Sequence, residues 1–392
     1  MEFRAGAEEE SFRRAVRAWL EQSLPPGWRE GTFPRPRSAA DRVAFARRWY
    51  RTLFDGGWAG ISWPVEYGGR DLSARQHLVF SEEYVRAGAP DLIDVGVGPG
   101  LVGPTIIAHG TQAQKERFLP AILRGDEVWC QGFSEPAAGS DLAGLRTRAV
   151  RDGDALVVSG QKVWTSFALY SDWCILVVRT NADVPKHRGL TFLLLDMKLP
   201  GITIRPLVEM TGVAWFNEVF LEDVRVPLDC VVGEIDRGWD IVITTLSHER
   251  ASVTPYPRIQ AELDALVALL GTRPGQALDP RLRQRAAQLR CEVEILRLST
   301  WRSLSNAEHE GRPGPEGSML KLLWSEIEQR LFDLAFEIEG AHGLLDEHDP
   351  AALEGGRWQY GLLWARAATI YAGTSEVQRN IIAQRVLGLP RG

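Results

Sequence analysis

Residues 146–166, RTRAVRDGDALVVSGQKVWTS, carry the pattern that decides the fold. Two runs of strand-forming residues, Arg146–Arg151 and Ala155–Ser159, flank Asp152-Gly153-Asp154. An Asp-Gly step between such runs marks a tight hairpin, because glycine takes the positive φ that the turn needs. Working outward, Trp173–Arg179, Leu190–Met197, Ile202–Val208 and Glu218–Leu221 read as further short strands. No helix-length segment separates them. Strands without crossover helices predict an antiparallel sheet or small barrel, and argue against a parallel nucleotide-binding sheet.

On both sides the period changes to that of helices. Phe12, Val16 and Leu20 recur at helical spacing, and Pro25-Pro26-Gly27 ends that run. Helices are predicted over about 38–55 and 73–87 and from Gln112 to Leu123, with a Gly- and Trp-rich loop from Gly57 to Pro64. Beyond residue 236, Leu282, Ala286, Leu289, Val293 and Leu296 form one apolar stripe. Leu320, Leu323, Ile327, Leu331, Leu334 and Ile338 form another, and Arg312-Pro313-Gly314-Pro315 breaks the chain between them. Such stripes belong to a helix bundle. The fold class is therefore α+β in three parts: a helical domain over 1–127, a β domain over 128–235 and a helical bundle over 236–392.

The whole-chain arithmetic limits what this fold can do. Of 392 residues, 45 are Lys or Arg and 51 are Asp or Glu, so the net charge is −6. That balance argues against a general nucleic-acid binder, which needs cations to neutralise phosphates. Cys130, Cys174, Cys230 and Cys291 form no C-x-x-C pair, and their dispersal suits a reducing compartment. The polar, acidic N-terminus is unlike a secretion signal, and the apolar runs fall short of the ~20 residues of a membrane span. A cytoplasmic location with no membrane partner is expected. Gly98-Pro-Gly100-Leu-Val-Gly103 matches a dinucleotide-loop string but lacks a preceding strand, and Pro104 follows it, so it reads as a packing segment. His342 and His348 have no third ligand in sight, so no metal is expected.

Two segments could carry chemistry. Residues 131–141, QGFSEPAAGSD, offer small residues and hydroxyls that let a ligand approach the backbone. Residues 161–166, QKVWTS, place a Trp and two hydroxyls after Gly160. Taken alone, the first reads as a surface turn and Trp164 as a core residue rather than a cofactor contact.

Together these segments resemble the acyl-CoA dehydrogenase family. So do GWAGISWPVEYGG at 57–69, GTQAQKERFLPAILRGD at 110–126, FNEVFLEDVRVP at 216–227 and IYAGTSEVQRNIIAQRVLGLP at 370–390. The resemblance implies α,β-dehydrogenation of acyl-CoA thioesters in lipid β-oxidation, with FAD as cofactor and an electron-transfer flavoprotein as onward acceptor. It also implies tetramers, either of one chain or of unlike paired chains. Gln131, Phe133, Ser134 and Ser140 match positions lining the flavin and the thioester arm. Trp164 and Ser166 match residues flanking the flavin ring. Gly340 and Thr374 match cofactor contacts, and Gly373 matches a substrate contact. Gly373-Thr374-Ser375 precedes a helix, with Ser375 and Gln378 resembling a capping box. The free N–H groups of such a helix start suit an anion.

Removal of an α-proton needs a base, with fixed donors for the enolate-like oxygen. Many family members carry that base as Glu in a Y-E-G-T motif, where this chain has Tyr371-Ala372-Gly373-Thr374. Ala372 can offer only its backbone N–H. A second family position for the base precedes an Arg on the first bundle helix, and Glu249-Arg250 stands there. Trp239, Val242, Leu246, Glu249 and Val253 step by 3, 4, 3 and 4, which puts Glu249 at the edge of an apolar stripe. Burial there would raise its pKa toward that of a working base. Arg250 would then help to position or polarise the substrate. A surface Glu–Arg pair is the plainer reading, and His248 is a rival base on the row of Thr244, Thr245 and Ser252.

Two departures from the family stand out. No R-x-x-F-G segment occurs in 251–285, where Pro255 and Pro257 should kink or end the helix. A flavin-contacting Gln-x-x-Gly-Gly-x-Gly appears as Glu337-Ile-Glu339-Gly340-Ala-His-Gly343, and carboxylates there suit a pyrophosphate only if they point away. Two alternatives share the fold: a flavin oxidase or hydroxylase using oxygen, and a non-catalytic partner subunit.

Overall fold

A computed structural model describes residues 6–36, 38–252, 255–273, 275, 279–310, 314, 316–345 and 349–390, with the backbone alone at 249–252, 308 and 310. The hairpin lies where the Asp-Gly signal puts it. β2 (Arg148–Asp152) turns through Gly153, at φ +62°, into β3 (Ala155–Ser166). Around them lie β1 (Trp129–Gly132), β4 (Trp173–Arg179), β5 (Leu190–Asp196), β6 (Ile202–Leu207), β7 (Phe216–Pro227) and β8 (Val231–Val232). The order is β6-β7-β3-β2-β4-β5-β8, with β1 added beside β4. The long ladders are antiparallel, as expected. The exceptions are β1, which runs parallel to β4, and a single parallel pairing of Arg148 with Arg179. Cys174, Leu176, Val178, Leu193 and Leu195 of β4 and β5 are buried together with Val158 and Val219. Central strands covered on both faces explain their unbroken apolar runs.

The helices are α1 (Ala7–Ser23), α2 (Ala39–Asp55), α3 (Ala74–Arg86), α4 (Gly103–His109), α5 (Gln112–Arg124), α6 (Gly238–Ser252), α7 (Tyr256–Gly271), α8 (Pro280–Glu310), α9 (Gly317–Glu339), α10 (Arg357–Ala368) and α11 (Ser375–Ile381). Packing sorts them into two compact units. One comprises Met1–Gln22, Ser73–Ala89 and Val253–Gly392; the other comprises Ser23–Leu72 and Pro90–Ser252. This division cuts across the three-part division by chain order. α1 and α3 go with the bundle because Leu78 shares the core of Ile259, Leu263, Leu289 and Leu331. Glu83 of α3 also pairs with Arg13 and Arg17 of α1 at 3.0 and 2.9 Å. α6 goes with the sheet-containing unit, where it is tied to α4 as described below.

Both predicted stripes face that bundle core, although Leu320 and Leu323 reach it only in part. Of the break between them only Gly314 lies within the described residues; Arg312, Pro313 and Pro315 lie outside, as does His348. Pro257 sits in the first turn of α7, where a missing N–H costs nothing. The glycine-rich string at 98–103 is a π-helical turn leading into α4. A Cβ on Gly103 would stand 1.8 Å from the Trp63 ring, and Trp63 Nε1 donates to the Pro99 carbonyl at 3.0 Å, so packing accounts for these glycines. Among the described residues no helix is long and apolar enough to cross a membrane.

Candidate active site

The sheet-containing unit holds most of the residues singled out from the sequence. β1 ends at Gly132 and delivers Phe133 and Ser134 into a closed turn, where Glu135 and Ala138 exchange backbone hydrogen bonds at 3.0 and 3.1 Å. Gln131 and Ser134 are half-buried and Ser140 is exposed at the far side of the turn. Phe133 is turned inward, edge-on to Phe192 with centroids 5.9 Å apart, so it can offer a ligand only its backbone. Val163 of β3 donates its N–H to the Ser134 carbonyl at 3.0 Å, which fastens this turn to the strand carrying Trp164 and Ser166.

Trp164 does not lie in the core. The β3–β7 register slips between Lys162 and Thr165, and at that bulge Trp164 adopts φ +59° with 59 % of its surface exposed. Its ring stands edge-on to Phe216 at 5.8 Å. A left-handed backbone costs a bulky residue about 1–2 kcal/mol. Packing alone would not demand that cost for an exposed ring, so the bulge points to a flat ligand face. Half-buried Ser166 follows two residues on, where its hydroxyl can serve the edge of the same ligand. Phe167, also left-handed at φ +57°, bonds its N–H to the Trp215 carbonyl at 2.9 Å. Glu209 accepts from the Trp215 N–H at 2.8 Å, which ties down the loop behind these residues.

α6 differs from expectation. Its buried face runs through Ile241, Val242 and Thr245, whereas Trp239 and Leu246 are only partly covered. Thr245 can be buried because its hydroxyl meets the Ile241 carbonyl at 2.8 Å and Thr105 Oγ1 at 2.9 Å. One residue back, Thr244 Oγ1 lies 2.9 Å from His109 Nε2, so two side-chain bonds hold α6 to α4. The row assigned to His248 is thus partly internal. Burial lowers the pKa of the half-buried His248, and nearby His109 lowers it further. Position 249 lies on α6 four residues beyond Thr245; the side chains of Glu249 and Arg250 lie outside the described residues.

The remaining candidates lie in the other unit. Ala372 and Gly373 are left-handed, at φ +54° and +90°. Gln378 Nε2 donates to both their carbonyls, at 2.9 and 3.2 Å. This corrects the capping-box reading. Thr374, not Ser375, caps α11, accepting from the Val377 N–H at 3.2 Å, and Gln378 is drawn to the turn by those two inward carbonyls. Gly340, at φ +60°, ends α9. Of the two glutamates before it, Glu337 pairs with Arg285. Glu339 is buried, and that burial pushes its pKa up to about 7 against the pull of Arg273. Neither projects an unpaired charge into solvent. Within the sheet-containing unit, the bulge-mounted Trp164 and the nearby Ser166 hydroxyl suit the flat face and the edge of a flavin.

Comparison with known proteins places the chain in a family. Residues 6–126, 130–224 and 236–387 match the N-terminal, middle and C-terminal domains of acyl-CoA dehydrogenases. The chain is 42 % identical over 390 residues to the acyl-CoA dehydrogenase IpdE1 of Mycobacterium tuberculosis, covering 97 % of this chain and 98 % of that one. Its fold superposes on the Tcur3481–Tcur3483 steroid ACAD with TM-score 0.86 at 31 % identity, covering both chains fully. The ChsE4–ChsE5 complex from Mycobacterium tuberculosis gives the same TM-score at 34 % identity, again over both full chains.

Proposed function

We infer the activity from one premise: the chain belongs to the acyl-CoA dehydrogenase family, whose members are flavoprotein oxidoreductases acting on CH–CH groups. On that premise we propose that it converts an acyl-CoA thioester to the trans-2-enoyl-CoA. Glu249 takes the α-proton, and Arg250 orients the thioester. The Ala372 N–H supports the carbonyl oxygen as negative charge develops there. Ser140 and Gly373 contact the substrate.

Gln131, the Phe133 backbone, Ser134, Ser140, Trp164, Ser166, Gly340 and Thr374 would hold FAD. When bound, FAD supplies the acceptor for the β-hydride. An electron-transfer flavoprotein is the proposed onward acceptor. Two similar structures bear names of paired chains, one of them a steroid enzyme. On that support we assign this chain a bulky acyl group and a tetramer that includes a related, non-identical chain.

The single observation that carries this reading is exposed Trp164 on its left-handed bulge, at the position where the family flanks its flavin. The test is anaerobic bleaching of the bound flavin by a panel of acyl-CoAs, alone and after co-expression with a candidate partner chain. Glu249→Gln should slow bleaching by about 100- to 10,000-fold, the usual weight of a positioned base. Equal bleaching rates would remove Glu249 from its role. Peroxide matching substrate loss in air would assign oxygen as acceptor, and a colourless protein without enoyl product would assign a partner role.

A further inference from the structure

Lys162 is wholly buried in β3, yet the proposed chemistry gives it no part. A buried ammonium persists only where it is paired and hydrogen-bonded. Its Nζ donates to the Phe133 carbonyl at 3.1 Å and to Glu135 Oε1 at 2.9 Å. Glu135 also accepts the N–H groups of Arg146 at 2.6 Å and Thr147 at 2.8 Å. With Val163 holding the Ser134 carbonyl, two successive residues of β3 grip three successive residues of the 133–135 segment. The grip sits immediately before the bulge that turns Trp164 outward. Cys174 is the other titratable group beside the ammonium, and its buried thiol stays protonated.

We propose that Lys162 is a positioning residue for the flavin face: it sets the spacing between Ser134 and the Trp164–Ser166 segment without touching a ligand. This rests on the FAD reading given above. The geometry supports it because both segments that match flavin contacts converge on this one enclosed ammonium and the adjacent amide. The bond to the Phe133 carbonyl ties the ammonium to the residue immediately before Ser134.

The test compares Lys162→Met with the double variant Lys162→Met/Glu135→Gln, in which no buried charge is left alone and the Gln carbonyl oxygen still accepts one of the two N–H groups of Arg146 and Thr147. Three readouts are taken on the purified flavoprotein: FAD retention on dilution, visible circular dichroism of the bound flavin, and hydrogen exchange of the Val163 amide. The double variant should fold, yet lose FAD affinity by at least about tenfold and exchange the Val163 amide about tenfold faster, with a changed flavin spectrum. Parent-like affinity, spectrum and exchange in the double variant would overturn the proposal, leaving Lys162 a mere counter-ion. Failure of both variants to fold would also overturn it, since the role would then be fold-wide. If the parent itself retains no FAD, the flavin reading fails, while the Val163 exchange still decides the role of Lys162.

Discussion

The tie between α4 and α6 allows a sharp energetic test. Thr105 Oγ1 lies 2.8 Å from the Leu101 carbonyl, Thr245 Oγ1 lies 2.8 Å from the Ile241 carbonyl, and the two hydroxyls lie 2.9 Å apart. Three contacts share two protons, so one hydroxyl donates to the other while the second donates to its own carbonyl. Thr245→Val keeps the side-chain shape, and the Thr105 hydroxyl can then turn to the Leu101 carbonyl, which leaves no donor unpaired. The loss is one net hydrogen bond, about 1 kcal/mol. Thr105→Val should cost about the same for the same reason. The double variant removes both donated bonds, so it should cost about 2 kcal/mol, the sum of the two single effects, because each hydroxyl falls back on its own helix carbonyl when its partner is lost. Urea unfolding of the flavoprotein followed by circular dichroism would give the four corners of the cycle. Single effects that sum to well over the cost of the double variant would show that the surviving hydroxyl is left unpaired, and would refute this account of how α6 is held to α4.

Two further outcomes follow from the site. Burial lowers the folded-state pKa of both His109 and His248. Below about pH 6.5 the unfolded chain therefore binds more protons than the folded one, so stability is full above that pH and falls as the solution is acidified. His248→Gln should flatten the decline of Tm between about pH 7 and pH 5, and an unchanged slope would show that His248 is not desolvated. At the bulge, Trp164→Gly should be more stable than Trp164→Ala by about 1 kcal/mol, since only glycine relieves the φ of +59°. Both should lose FAD on dilution faster than the parent. A glycine variant less stable than the alanine variant would mean that the backbone there carries no strain.

What could be read in advance was whatever repeats. The α8 stripe from Leu282 to Leu296 faces one core, and periodicity reports that directly. The hairpin at Gly153 was legible because Asp-Gly has few other uses. β3 and β7 run longer than their apolar runs, to Ser166 and from Phe216, because Gly160 and the bulge at Trp164 interrupt the alternation. β1 and β8 are too short to show a period. α4 was hidden behind glycines and a proline that its close packing on Trp63 requires.

The site was legible in outline through its motif segments. What escaped notice was the polar framework beneath it. A lysine or threonine within a strand or helix reads as a solvated face, because burying it alone would be costly. Lys162 is buried because Glu135 and the Phe133 carbonyl, which precede it by 27 and 29 residues, supply acceptors. Thr245 is buried because Thr105, 140 residues away, supplies the match. Neither partner is marked by any local pattern, so only the folded chain reveals the pairing. The same reasoning ranks the two elements around the proposed base. α6 takes its orientation from α4 through these hydroxyl and imidazole contacts, so changes at Thr105 or His109 should perturb proton abstraction without touching a ligand. Changes at Lys162 should instead fall on cofactor retention. Separate effects on bleaching rate and on FAD affinity would show that these are two independent supports.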